Sequence, residues 1–231
     1  MKNPKISIYM LSLFMIFIFL TSCFFRPRFY SAKPIEAWIV DEDTGKPLKD
    51  VVVVIYWELY GGMQPHPVGQ LTVMETVTDK NGRFYFPAWG PKTTFRGYFR
   101  DAPDIILFKS GYKWRSAGDY YATRKDLLGK GPSIRISKWH GKSIELRKFK
   151  DSFKEYAKSL TRLSSMLGYK FRTQNNKCKW EKIPNMVVAL HKQKAIFDKY
   201  EIYNDLYSIE GLAKMSPKSC GKSQSFFRSY M

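Results

Sequence analysis

Val77-Thr78-Asp79-Lys80-Asn81-Gly82-Arg83-Phe84-Tyr85-Phe86-Pro87 reads as strand, tight turn, strand. Asn-Gly between runs of β-branched and aromatic residues is a strong hairpin signal, because the turn needs positive φ and these two residues tolerate it. Thr76 and Thr78 lead in, and Phe84 and Phe86 place two rings on one face of the outgoing strand. The pattern predicts a hairpin of Leu71 to Thr78 against Arg83 to Trp89.

Upstream, Ile35 to Val40 is strand-like, and Asp41-Glu42-Asp43-Thr44-Gly45-Lys46-Pro47 is turn chemistry. Val51 to Tyr60 holds four consecutive Val, an Ile and aromatics, the pattern of a buried strand. Gly61 to Gly69 reads as a loop. Downstream, Asp104 to Lys109, a Ser110-Gly111 turn and Tyr112 to Arg115 read as a strand pair, and Ser143 to Arg147 as a last strand. About seven short strands at turn-bounded spacing predict a mainly β fold, a β-sandwich.

After Lys150 the hydrophobic period changes. Ser152-Phe153-Lys154-Glu155 has the capping-box form. Phe153, Tyr156, Leu160, Leu163 and Leu167 follow at helical steps, and Gly168 is expected to stop the helix. A second helix starts near Pro184 with the stripe Met186, Leu190, Gln193, Phe197 and Tyr200. A third runs from Asp205 to Met215, and Phe226, Phe227 and Tyr230 close the chain. The expectation is a C-terminal helical extension, residues 150–231, of two to four helices packed on the sandwich.

The order Ile35…Val40-Asp41…Thr44-Gly45-Lys46-Pro47-Leu48…Val51-Val52-Val53, then Thr78-Asp79-Lys80-Asn81-Gly82-Arg83-Phe84, then Lys109-Ser110-Gly111-Tyr112, resembles the carboxypeptidase regulatory-like domain. That resemblance implies a transthyretin-like (prealbumin-like) β-sandwich over residues 34–149, with insertions at 90–103 and 117–141. Ala37 and Trp38 stand where the family often has Gly. In metallocarboxypeptidases this domain accompanies the enzyme without catalysing, so the resemblance implies scaffold or binding rather than chemistry.

The N-terminus carries an address. Lys2 and Lys5 precede an uncharged, largely apolar run from Ile6 to Leu20, followed by Leu20-Thr21-Ser22-Cys23. A basic start, an apolar core and small residues make a secretory signal. Leu, two small residues and Cys resemble the lipobox of bacterial lipoproteins, which implies removal of residues 1–22 and acylation of Cys23. Phe24, in place of Asp, resembles the outer-membrane sorting pattern of Gram-negative lipoproteins. The alternative is an uncleaved anchor, since Ile6 to Phe25 as a helix would span about 30 Å. Either route puts the remainder outside the cytoplasm, tethered to a membrane, with residues 23–33 as the tether. Lipidation of Cys23 leaves Cys178 and Cys220. An even remainder in an exported chain favours one disulfide pinning the tail to the second helix, against two buried free thiols.

At 44% hydrophobic residues the chain can build a core. Its net charge of +19 is uneven: residues 23–89 carry seven basic and eight acidic groups, residues 90–150 fifteen against five, and residues 151–231 fifteen against seven. Outside the cytoplasm the available polyanions are lipid headgroups and envelope polymers, not nucleic acid. Another envelope protein is the other expected kind of partner, and the alternative is a solvated basic surface with no dedicated partner.

Catalytic and metal motifs fail one by one. The Asp41–Gly45 and Asp79–Gly82 clusters lack the downstream Glu of an EF-hand and read as Asx turns. His66, His140 and His191 have no Glu three residues on, and Gly221-Lys222-Ser223 lacks the earlier glycine of a phosphate loop. No cofactor is expected. One surface survives, in which bases and aromatics interleave: Phe95, Arg96, Tyr98, Phe99, Arg100, Trp114, Arg115, Tyr120, Tyr121 and Arg124. Stacking and charge-assisted hydrogen bonds suit such residues to sugars or anionic headgroups. The alternative is that these rings pack beneath the helical tail. The functional expectation is a non-catalytic binding or structural module of an envelope lipoprotein. The alternative is an envelope enzyme, or an accessory subunit of one, with its site between sandwich and tail.

Overall fold

The computed structural model describes residues 28–94, 97–98, 103–118, 133–172, 179–211 and 223–231. Cys23, Cys178 and Cys220, and with them the expected signal, lipidation site and disulfide, lie outside the described residues. The fold is mainly β with helices at its C-terminal end. Its strands are β1 (Arg28–Ala32), β2 (Ile35–Asp41), β3 (Val52–Gly61), β4 (His66–Val77), β5 (Arg83–Phe86), β6 (Trp89–Thr94), β7 (Asp104–Phe108), β8 (Arg115–Ser116), β9 (Ser133–Arg135) and β10 (Ser143–Leu146). Helices α1 (Phe153–Arg172), α2 (Pro184–Lys199) and α3 (Ser223–Phe227) follow, with a 3-10 turn at Lys179–Lys182.

Three sheets form, ordered β6-β1-β9, β10-β2-β5 and β4-β3-β7-β8. The first two are successive halves of one layer: β1 runs into β2 through Lys33-Pro34, and β5 into β6 through Pro87-Ala88, so the strand order repeats across the break. Proline donates no ladder hydrogen bond, so both strands interrupt where Pro34 and Pro87 stand. The residues expected as a tether (28–32) and within the insertions (90–94 and 133–135) are therefore sheet.

β3 explains the apolar run. Val53, Ile55, Trp57 and Leu59 point into a core shared with Ile35, Ile39, Phe84, Phe86, Leu107, Ile144 and Leu146, so the four-stranded sheet faces β10-β2-β5. Val52, Val54 and Tyr56 point the other way, into a second core with Leu160, Leu163, Met186, Leu190, Phe197 and Phe227. A strand buried on both faces loses its polar alternation. The arrangement is compatible with the expected β-sandwich, backed by helices on one side.

The expected hairpin does not form. β4 pairs with β3, from Val52↔Val77 to Gly61↔His66, whereas β5 pairs with β2, from Ile35↔Phe86 to Trp38↔Arg83. The turn between them is real, but it is a corner between layers. Thr78 Oγ donates to the Leu48 carbonyl at 2.7 Å and accepts from Val51 N–H at 2.9 Å. Asp79 accepts from the Asn81 and Arg83 N–H groups at 2.9 Å each. Gly82, at φ 70°, has no room for a Cβ beside the Ile39 carbonyl, and its own carbonyl accepts from Ile39 N–H at 2.8 Å. Docking on β2 prevails over closing on β4. The true hairpin is β3–β4, and the stretch read as a loop supplies the first residues of β4. Pro67 is tolerated there because β4 is an edge strand.

The expected strand at Tyr112 to Arg115 is mostly not strand. Only Arg115–Ser116 pairs with β7, while Lys113 N–H donates to the Arg147 carbonyl at 2.8 Å and Phe149 N–H to the Gly111 carbonyl at 2.9 Å. This segment stitches one layer to the other.

In the tail, Ser152 caps α1 by accepting from Glu155 N–H at 3.3 Å. The helix does not stop at Gly168 but continues to Arg172. A Cβ at Gly168 would lie 2.7 Å from a Tyr207 ring carbon; the glycine marks a close approach, not an end. The third expected helix starts later, at 209, because the Asp205 and Tyr207 N–H groups donate to Thr161 and Ser164 hydroxyls on α1.

Candidate functional site

Of the interleaved basic-aromatic surface, the three described residues, Tyr98, Trp114 and Arg115, do not come together. Phe95, Arg96, Phe99, Arg100, Tyr120, Tyr121 and Arg124 lie outside the described residues. Tyr98 bridges Tyr60 through a reciprocal backbone pair, each 2.9 Å, at the far end of β3. Gly97 allows that approach, since a Cβ there would meet the Tyr60 carbonyl at 2.7 Å. Arg115 pairs with Leu107, which pairs with Val53. Val53 and Tyr60 are seven residues apart on β3, about 23 Å at strand rise. Tyr98 therefore cannot share a small ligand with Trp114 and Arg115.

Trp114 is half-buried and packs against the tail core, as the alternative expected, and its indole N–H donates to the Ser159 carbonyl of α1 at 3.0 Å. Arg115 donates to the Glu145 carbonyl at 2.6 Å and lies over the Trp139 ring at 6.0 Å. Trp114 does line a cleft of about 440 Å³ with Lys113, Phe149, Asp151, Glu155, Ser159 and Arg162. The cleft forms where the inter-layer stitch at 111–113 meets the first turns of α1. Lys113 Nζ sits 3.3 Å from Asp151 and 5.6 Å from the Phe149 ring centroid. Glu155 is paired with Lys158 at 2.6 Å. Arg162 is exposed and makes no ion pair among the described residues. Two aromatic walls, with two cations and two carboxylates on the lining, make the cleft suited to a flat polar group, by stacking and charge-assisted hydrogen bonds.

Sequence reasoning missed Phe149, Ser159 and Arg162. The last two, with Glu155, repeat at steps of four and three beside the apolar stripe, the spacing that shares a helix face. That spacing was the available signal, but solvated helix faces look the same.

The turn clusters are occupied by structure. Asp41, 3% exposed, accepts from Asp43 N–H, Thr44 N–H and the Thr44 hydroxyl through one oxygen, and from the Tyr112 hydroxyl at 2.9 Å through the other. Burial pushes this carboxyl up, but those hydrogen bonds and the Lys148 ammonium outweigh it and hold it below the usual carboxylate range. The Tyr112 hydroxyl, desolvated and facing that carboxylate, is pushed up to about 12. Both acidic clusters are thus Asx turns. Among the described residues no group of His, Cys, Asp and Glu could hold a metal.

A less obvious carboxylate is Glu75 on β4. It accepts from the Asn185 and Met186 N–H groups at 2.7 Å each and from the Asn185 amide at 2.9 Å. α2 has no cap of its own, so a strand residue caps it from across the interface. Burial pushes Glu75 up to about 7 despite these three donors. It is a structural carboxylate.

No family model matches the chain, and no curated protein matches it. Among solved structures the chain is similar to 3-chlorocatechol 1,2-dioxygenase from Rhodococcus opacus 1CP, at 18% identity and a TM-score of 0.30, over 52% of this chain and 61% of that one. It is also similar to the dioxygenase domain of a dioxygenase–carbohydrate-binding fusion from Streptomyces sp. SirexAA-E, at 12% identity and a TM-score of 0.30, over 51% and 79% of the two chains. A 9R-lipoxygenase from Cyanothece PCC8801 matches at 14% identity and a TM-score of 0.28, over 82% of this chain but 27% of the enzyme. The chain spans less than two thirds of the first dioxygenase. TM-scores this low carry nothing about fold or chemistry.

Proposed function

We propose that the chain is a non-catalytic binding or structural module of an envelope lipoprotein, with a transthyretin-like β-sandwich of the carboxypeptidase regulatory-like kind. The observation that carries this reading is what the motif residues do. Thr78, Asp79 and Gly82 hold an inter-layer corner, and Asp41, Thr44 and Gly45 hold the other turn, with Gly45 at φ 66°. Their polar groups are engaged by neighbouring backbone and hydroxyl groups that hold the turns. The export address rests on the apolar run and Leu20-Thr21-Ser22-Cys23. Among the described residues no helix is long and apolar enough to cross a membrane, and the apolar N-terminal run lies outside them.

The alternative, an envelope enzyme or its accessory subunit, would use the cleft between sheet and tail. Its two carboxylates each carry a lysine partner, Asp151 with Lys113 and Glu155 with Lys158, and both are exposed. That favours ligand contact over proton transfer. Mass spectrometry of the mature N-terminus tests the address: acylated Cys23 is expected, and an intact Met1 overturns the lipoprotein form. Arg96, Arg100 and Arg115 changed together to Glu should weaken sedimentation with anionic liposomes or cell wall, and unchanged sedimentation removes those arginines from binding.

A further inference from the structure

We infer that the outer face of the β6-β1-β9 sheet lies on the surface of the membrane that holds the N-terminal segment. The inference rests on the membrane tether proposed above, in either its acylated or its uncleaved form.

The first argument is length. Cys23 precedes the first residue of β1 by five positions, and Phe25, the end of the apolar run, precedes it by three. Five residues fully extended reach at most about 17 Å, and three about 10 Å. Residues 28–32 of the expected leash are a strand, so this sheet starts within that reach of the bilayer.

The second argument is the character of that face. Along β1, Tyr30 and Ala32 turn inward, while Phe29 points out, 48% exposed. In register beside Ser31 stands Ile134, 36% exposed, and Ile136, just past the end of β9, is 42% exposed. Thr93 faces out opposite Phe29. The other half of the same layer provides the control. The outer face of β10-β2-β5 carries a Glu36–Arg83 ion pair and exposed Glu145 among Tyr85 and the half-buried Trp38 and Val40. One half of the layer thus mixes charges with its rings, and the half at the end where the proposed anchor enters sets Phe29 and Ile134 among Ser31 and Thr93.

The third argument is charge. Arg26 and Lys33 flank β1 and Arg28 is its first residue, while Lys92 and Arg135 stand in register with the buried Tyr30 and Ala32, so the basic residues border the outer face. Apolar side chains at the headgroup boundary with basic residues around them suit an anionic lipid surface, and each basic residue near it adds to the attraction.

The full chain, N-terminal segment included, can be reconstituted into vesicles of phosphatidylethanolamine and phosphatidylglycerol. A photo-crosslinking residue is placed in turn at Phe29, Ile134, Ile136, Tyr85 and Tyr203. Lipid adducts at the first three positions should exceed those at the last two by about tenfold. With Ile134→Glu and Ile136→Glu combined, the adduct at position 29 should fall to the Tyr85 level. Chain that floats with the vesicles but labels all five positions alike overturns the docking and leaves the tether standing. An unchanged adduct at position 29 in the double variant also overturns it. Chain absent from the floating fraction overturns the tether, and the docking with it.

Discussion

The two cores on either side of β3 are built differently. The inner one, between the sheets, is closed by apolar packing and a Trp57–Trp89 edge contact at 5.0 Å, with one buried polar link between the layers, the Tyr112 hydroxyl on Asp41. The outer one, beneath the helices, is equally apolar at its centre but pinned at its rim by polar ties. Lys170 of α1 pairs with Glu58 of β3 at 2.7 Å, Gln193 of α2 accepts from Ser110 at 2.8 Å, and Glu75 caps α2. The difference follows from partners. Sheets register through their ladders, whereas a helix on a flat sheet can slide, and directional bonds to buried polar groups fix its position.

If β3 is a common wall, the two cores should fail together. Leu107→Ala in the inner core and Leu160→Ala in the outer are both fully buried truncations, each expected to cost about 2–5 kcal/mol. Hydrogen exchange of β2 and α1 amides during urea unfolding should report one coincident transition for each variant. A tail that melts ahead of the sheets in Leu160→Ala would make the helices a separate unit.

The polar ties come next. The Glu58 side chain is 7% exposed and Lys170 19%. Lys170→Met leaves Glu58 with the Tyr60 hydroxyl at 2.9 Å, and a loss of about 3 kcal/mol in urea unfolding is expected. Adding Glu58→Gln should recover most of it, because the cost is an unpaired buried charge. If Glu58→Gln gives no recovery, the tie acts through packing of the lysine stem instead.

Which parts were legible in the sequence follows from the same contrast. The Val51–Tyr60 run, the Ser152 cap, Pro184 at the start of α2 and the stripe from Tyr156 to Leu167 were readable because hydrophobic period reports burial directly. The hairpin misreading at Asn81-Gly82 came from a turn signal that is local, while its strands chose non-local partners. Strands β1 and β9 are short and lie in basic, polar surroundings where pattern is weak. As for the candidate surface, residue types suggested a ligand, but only coordinates could separate Tyr98 from Trp114.

Glu75 sharpens the comparison through pH. Its folded-state carboxyl is raised to about 7 by burial, so between pH 4.5 and 7 the native state holds a proton that the unfolded state has released. Stability then falls as pH rises through that window, by about 2–3 kcal/mol, and levels off above it. Asp41, shifted the other way, changes stability only at lower pH. Urea unfolding at mildly acidic and mildly alkaline pH should show the loss in the wild type and a flatter profile in Glu75→Gln. Equal slopes in both would assign the pH dependence elsewhere.

The smallest expected effect tests the closest approach between tail and helix. Thr161, Ser164 and Gly168 form a stripe of small residues on α1, across which the 205–207 segment lies with its N–H groups on the two hydroxyls. A glycine inside a helix costs about 1 kcal/mol relative to alanine, so Gly168→Ala would stabilise an open site. Here the added Cβ meets the Tyr207 ring, and overpacking of about 1–3 kcal/mol should outweigh that gain. The net loss is about 1 kcal/mol. In a Tyr207→Ala background the obstruction is gone, and Gly168→Ala should reverse sign and stabilise by about 1 kcal/mol. The same sign in both backgrounds would mean that the ring swings aside freely and that Gly168 is not held by this contact.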